Sequence, residues 1–254
     1  MLKNKAGWTA LGLLMAGLNM PAVAQTNSAA ARVVAPSTNA ATPQRVLILG
    51  DSMMRLLAHS LERELARQPG VTATIFTSLA SGLARLDTFD WLGKMRSEIV
   101  EARPDFVIVA LGTNDKQAMQ VDGGVIVQPG DEAWNKAYAQ RLGTAMDILT
   151  SGGSRQVLWM ELPDMRDARH QADATEINAI LRKEAGLRPS IHIFETRALL
   201  SRKPGTFSSY LIGRDGMPLA VRENDGIHLS RAGADLAASK LIAAMGFSGV
   251  SATR

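Results

Sequence analysis

The chain has 254 residues, no Cys, 46% hydrophobic residues and 20% charged residues. That suits one α/β domain with a sizeable core, and the missing Cys excludes a disulfide scaffold and thiolate metal centres. A formal net charge of +4 is too small to call for a nucleic-acid partner.

Residues 1–24 read as a secretory signal peptide. Lys3 and Lys5 form a basic start, and Ala22-Val23-Ala24 gives a small-x-small cleavage pattern before Gln25. The apolar stretch from Trp8 to Met20 is too short to span a bilayer, which takes about 20 residues. Cleavage removes two Lys and no acid and leaves no transmembrane segment, so the expected location is periplasmic or secreted. Residues 25–44 are rich in Ala, Thr, Ser, Asn and Pro without a period, the composition of a disordered linker. Residues 45–254 are then one domain.

Within it, strand and helix patterns alternate. Residues 45–49 read as a strand, and 52–67 as a helix with Leu56, Leu57, Leu61 and Leu65 at helical spacing. Strand 71–77 and helix 89–102 follow, the helix ended by Pro104. Next come strand 105–111 and helix 131–149, capped by Asp131, with Trp134, Tyr138, Leu142 and Ala145 on one face. Strand 156–162, helix 172–185, strand 190–194 and helix 230–245 complete the series. Such alternation predicts a parallel sheet with helices on both faces, and ligands bind beyond the strand C-termini of such sheets. Two segments depart from it. Residues 120–129 form a flap, and Tyr210-Leu211-Ile212 with Leu219-Ala220-Val221 flank a turn in a hairpin. Both are expected near the site.

Four short blocks stand where that architecture puts a site. Gly50-Asp51-Ser52 closes the first strand, and Thr77-Ser78-Leu79-Ala80-Ser81-Gly82 follows the second. Gly112-Thr113-Asn114-Asp115 follows the third, and Asp225-Gly226-Ile227-His228 precedes the last helix. A Ser hydroxyl is a poor nucleophile unless a base takes its proton and a third group orients the base. Singly, each block also reads as a cap or a turn, because Ser and Asp dominate both.

Together and in this order, the blocks resemble those of the SGNH hydrolases, the GDSL-type esterases, over roughly residues 45–245. Met53 stands where that name has Leu; both are apolar. The resemblance implies a three-layer α/β/α fold on a mostly parallel five-stranded, flavodoxin-like sheet. It implies Ser52 as nucleophile, His228 as base and Asp225 as its orienter. The oxyanion hole would be the backbone N–H groups of Ser52 and Gly82 with the Asn114 side-chain amide. At Gly82 a side chain would crowd the acyl group. The implied activity is that of an exported esterase or O-acyltransferase on an acyl ester or acylated carbohydrate, acetyl preferred, with envelope polysaccharide-modification proteins as partners. The other reading is a non-catalytic carbohydrate-binding or scaffold protein on the same fold, which a missing triad member would favour.

Asp51 and Asp115 are expected to brace loops. Arg55 and Arg166 are candidate substrate contacts, with Arg169 and His170 beside them in a solvated loop. Trp91 and Trp134 fit core packing better than sugar stacking. His59 and His192 lack metal-ligand spacing, so no metal is expected. There is no Gly-x-Ser-x-Gly elbow, no P-loop and no dinucleotide fingerprint, so no cofactor is expected.

Overall fold

The computed structural model describes residues 44–203 and 205–246. The expected signal peptide and all of the expected linker except Gln44 lie outside the described residues. The strands are β1 (Gln44–Gly50), β2 (Val71–Thr77), β3 (Phe106–Ala110), β4 (Met119–Gln120), β5 (Ile126–Val127), β6 (Gln156–Met160), β7 (Ile191–Phe194), β8 (Tyr210–Ile212) and β9 (Pro218–Ala220). The helices are α1 (Met54–Leu65), α2 (Trp91–Ala102), α3 (Glu132–Thr150), α4 (Ala168–Ala185), α5 (Thr196–Leu200) and α6 (Arg231–Ala244).

Five strands form one parallel sheet in the order β2-β1-β3-β6-β7. This is the flavodoxin-like order, with β1 and β3 adjacent at the point where the winding reverses. Side chains alternate across a strand, and here each alternate set feeds a different core. Leu47, Leu49, Val107, Val109, Val157 and Trp159 face the layer of α2, α3 and α4. Val46, Ile48, Phe106, Ile108, Leu158 and Met160 face the layer of α1 and α6. Burial on both sides is why these strands read as continuous apolar runs. The expected three-layer α/β/α architecture is the one observed.

Several boundaries differ from the sequence expectation for local reasons. β6 ends at Met160 because a side chain replaces the next rung of the sheet. Asn178 Oδ1 accepts from the Leu162 N–H at 2.8 Å, and its Nδ2 donates to the Leu162 carbonyl at 2.8 Å. α4 starts at Ala168, a turn earlier than expected, because Asp167 Oδ1 caps the N–H groups of Arg169 and His170. α2 starts at Trp91, where the Asp90 side chain accepts from Gly93 N–H. Asp131 occupies the N-cap position of α3, but its side chain makes no cap hydrogen bond, contrary to its expected role. The short helix α5 has no counterpart in the sequence reading.

The flap is a two-stranded hairpin of β4 and β5 around a single 3-10 turn at Asp122–Gly124. The second hairpin pairs β8 with β9 and leads the chain to Asp225. Among the described residues, no helix is long and apolar enough to cross a membrane.

Candidate active site

Ser52 follows β1, in the turn that leads into α1. His228 arrives from the far end of the chain, in a loop whose position is set by α6. Ser230 caps that helix, its Oγ accepting from Gly233 N–H at 3.0 Å. Residues 223–228 close on themselves, Glu223 N–H donating to the His228 carbonyl at 2.9 Å and Gly226 N–H to the Glu223 carbonyl at 3.1 Å. Gly226 has a φ of 77° there, and a Cβ would come within 2.5 Å of Arg166 Cβ, so glycine is required on both counts.

This folding sets Ser52 Oγ 2.8 Å from His228 Nε2, and His228 Nδ1 2.6 Å from Asp225 Oδ2. With Nδ1–H donating to the carboxylate, Nε2 is left to accept the hydroxyl proton. Asp225 Oδ1 also accepts from the backbone N–H of Ile227 at 2.8 Å and of His228 at 3.0 Å. Partial burial alone would raise the Asp225 pKa, but the hydrogen bonds from His228 and those two amides outweigh it and hold it down to about 2. Asp225 is therefore anionic across the neutral range. The side chains of His228 and Asp225 remain 27% and 45% exposed, so water reaches the pair.

Asn114 lies on the β3–β4 connection, its Nδ2 donating to the Ser81 carbonyl at 3.0 Å and, at 3.5 Å, to Asp51 Oδ2. Among the described residues, no hydrogen bond within the protein occupies the backbone N–H of Ser52 or of Gly82. These are the three donors named from the family resemblance. Gly82 has a further reason to be glycine: a Cβ there would come within 2.0 Å of Asp115 Oδ1, a buried carboxylate.

Asp51 and Asp115 are fully buried beneath these loops. Asp51 Oδ1 accepts from Met53 N–H at 2.8 Å. Asp115 Oδ1 accepts from Ala84 N–H at 2.9 Å and Oδ2 from the Tyr138 hydroxyl at 2.7 Å. It thus ties the Gly82 loop to the Asn114 loop and to α3. Burial pushes the Asp51 carboxyl up to about 7 and that of Asp115 up to about 6, against the hydrogen bonds that favour the charged forms.

A cavity of about 130 Å³ opens at Ser52 and His228, between Leu162, Met165 and Ala174 on the β6–α4 side and Thr113 and Asn114 on the β3 side. Neither Arg55 nor Arg166 lines it. Arg55 is exposed on α1. Arg166 is used structurally: Nη1 donates to the Asn224 carbonyl at 2.8 Å, and its guanidinium lies 5.0 Å from the Phe207 ring. His170 does line the cavity, from the first turn of α4 and not from a solvated loop. Trp91 and Trp134 are core residues, both fully buried. The flap and the second hairpin contribute no residue to this cavity.

Sequence reading missed Asp173, which lines the cavity, and the buried cluster that braces the His228 loop. In that cluster Asp164 accepts from Ser201 Oγ, Gly205 N–H and Arg197 Nε. Arg222 donates to the carbonyls of Asp164 at 2.5 Å and Ile227 at 2.6 Å. The one available signal was the position of Asp164 just beyond a strand C-terminus; nothing local marks Arg222 as buried.

The sequence matches, over residues 45–244, the model of a family described as "Protein of unknown function (DUF459)". No curated protein matches it. Similar solved structures include an acetyl xylan esterase from Geobacillus stearothermophilus, 15% identical with a TM-score of 0.57, over 81% of this chain and 96% of that one. A second is the C-terminal catalytic domain of a peptidoglycan O-acetyltransferase from Streptococcus pneumoniae, 17% identical, TM-score 0.52, over 81% and 94%. A third is a carbohydrate esterase family 3 protein from Talaromyces cellulolyticus, 14% identical, TM-score 0.50, over 80% and 98%. At such identities the likeness is one of fold. The chain belongs to the DUF459 family and is built on the SGNH hydrolase fold.

Proposed function

We propose that the protein is an exported serine esterase that removes small O-acyl groups, acetyl above all, from envelope or extracellular polysaccharide. The observation that carries this reading is the continuous chain Ser52 Oγ–His228 Nε2 at 2.8 Å and His228 Nδ1–Asp225 Oδ2 at 2.6 Å. In the first step Ser52 Oγ attacks the ester carbonyl carbon and its proton passes to His228 Nε2. The alkoxy C–O bond then breaks, the same proton goes to the departing alcohol, and acyl-Ser52 remains. Water next attacks the acyl carbon and gives its proton to Nε2. The Oγ–acyl bond breaks, the carboxylic acid leaves and the proton returns to Oγ. Negative charge on the carbonyl oxygen would be met by the N–H groups of Ser52 and Gly82 and the Asn114 amide.

A sugar hydroxyl in place of water would make the protein an O-acyltransferase. Hydrolysis is the better-supported outcome here, because His228 is partly exposed and the flap does not line the Ser52 cavity. A non-catalytic carbohydrate-binding or scaffold role is disfavoured by the complete triad geometry. The three solved relatives described above, two of them esterases and one an O-acetyltransferase by name, support the acyl-transfer class. Export is proposed from the sequence of residues 1–24, and intact-mass analysis of protein secreted by a bacterial host should find a chain beginning at Gln25; retention of Trp8 to Met20 would contradict cleavage.

Chromogenic acetyl, butyryl and longer acyl esters test the activity. Ser52→Ala and His228→Ala should each remove turnover by about 10⁴-fold or more, with the double variant little worse, because the pair acts as a unit. Asn114→Ala should fold and lose roughly 100-fold in kcat. Full turnover in Ser52→Ala would remove the nucleophile assignment.

A further inference from the structure

Resting on the acyl-serine reading above, we propose that the cleft beside the Ser52 cavity is the subsite for the alcohol portion of the ester, and that this portion is a hydroxyl-rich carbohydrate chain. The cleft is lined by Lys116, Gln117, Gln128, Arg169 and Asp173 together with the small residues 118, 129 and 130, and it encloses about 490 Å³. Asp173 lines both spaces, so the two adjoin at that side chain.

Volume divides the substrate between the two. The space at Ser52 is about 130 Å³ against about 490 Å³ in the cleft, so the smaller suits a short acyl group and the larger the alcohol portion. The side walls at Ser52, Leu162, Met165, Ala174 and Ile227, are apolar and suit an alkyl group. The cleft has the size of ordinary ligand pockets, which run from about 300 to 1,000 Å³, and the opposite chemistry. Its long side chains are Lys, Arg, Gln and Asp, a mixture of donors and acceptors. Sugar hydroxyls both donate and accept, whereas an alkyl alcohol would lie against polar groups deprived of water.

The groups are held on rigid elements. Lys116 Nζ is fixed by Glu176 Oε2 at 2.7 Å and lies 4.6 Å from the centre of the buried Trp134 ring. Arg169 and Asp173 project from the capped first turns of α4. Among the described residues, their side chains have no hydrogen-bond or ion-pair partner, so both are free to bind. Among the described residues, no aromatic side chain lines the cleft. The chain would therefore be read by hydrogen bonds and not by stacking.

The test compares kcat/KM for 4-nitrophenyl acetate with kcat/KM for O-acetylated xylo- and manno-oligosaccharides, in the wild type and in Arg169→Leu, Asp173→Leu and Asp173→Asn. Circular dichroism checks that each variant folds; Arg169 is exposed, so at least that variant should. The expected result is that the Leu variants lose at least tenfold more on an oligosaccharide ester than on 4-nitrophenyl acetate, mainly through KM, with Asp173→Asn losing less. Equal losses on both substrates would overturn the subsite. So would a wild type that cleaves 4-nitrophenyl acetate but neither oligosaccharide ester. A wild type inactive on every ester would instead remove the acyl-serine reading, and the subsite with it.

Discussion

Asp51 and Asp115 are two fully buried carboxyls whose titration should be visible in stability. Burial raises the Asp51 pKa from 3.8 to about 7 and that of Asp115 from 3.8 to about 6. The folded state thus holds protons that the unfolded chain has released. The resulting stabilisation is complete below the unfolded pKa and is lost as pH rises through the folded values. Asp225 works in the opposite sense: its contribution is present above 3.8 and is lost as pH falls through about 2. Between pH 5 and 8 the buried pair should make the Tm decline as pH rises; Glu161, which burial also pushes up, acts in the same sense, and His192, which burial pushes down, acts against it. Asp51→Asn should flatten that decline, because a tenfold difference in proton affinity between the folded and unfolded chain is worth about 1.4 kcal/mol. Differential scanning calorimetry at intervals of pH would show it; an unchanged slope in the variant would mean that Asp51 is not protonated in the folded protein. The pairing of Ser52, His228 and Asp225 was legible in the sequence because short motifs encode it. The clash that Asp115 sets up at Gly82 was not, because it is a contact between loops separated by 33 residues, where the Asp115 carboxylate fills the space of a Cβ.

At the scale of elements, the sheet was legible and the supports of the His228 loop were not. β1, β3 and β6 announced themselves as apolar runs because both faces are buried. α4 began early because its cap, Asp167, stands inside a polar stretch that hides the helical period. The flap could be seen in the Gly-rich sequence, but its direction could not. Only tertiary contact decides that residues 128 to 130 border the polar cleft while β4 and β5 stay away from Ser52. Arg222 shows the same limit: it is buried, burial pulls its pKa down to about 10, and it remains charged while donating to the carbonyls of Asp164 and Ile227. Ile227 is next to His228. Arg222→Met should leave those carbonyls without a donor and cost at least about 2 kcal/mol. It should also lower kcat on small esters, because the loop that aims the imidazole loosens. Urea unfolding together with ester kinetics would test both; wild-type stability with wild-type kcat would show that the loop holds its shape without Arg222.

For the whole molecule, the fold places its functional loops where the winding of the sheet reverses. β1, β2 and β3 each deliver one block at a C-terminal edge, and α6 delivers the fourth from the end of the chain. That convergence is what an isolated cap or turn at each block does not demand. The central claim is that Ser52 is an activated nucleophile in the folded protein, and covalent labelling tests it most directly. Incubation of the folded chain with a fluorophosphonate, followed by peptide mass spectrometry, should find a single adduct on Ser52. The adduct should be strongly reduced in His228→Ala and absent after unfolding. A folded protein that takes no label, or that carries the label on another residue with Ser52 free, would contradict the account.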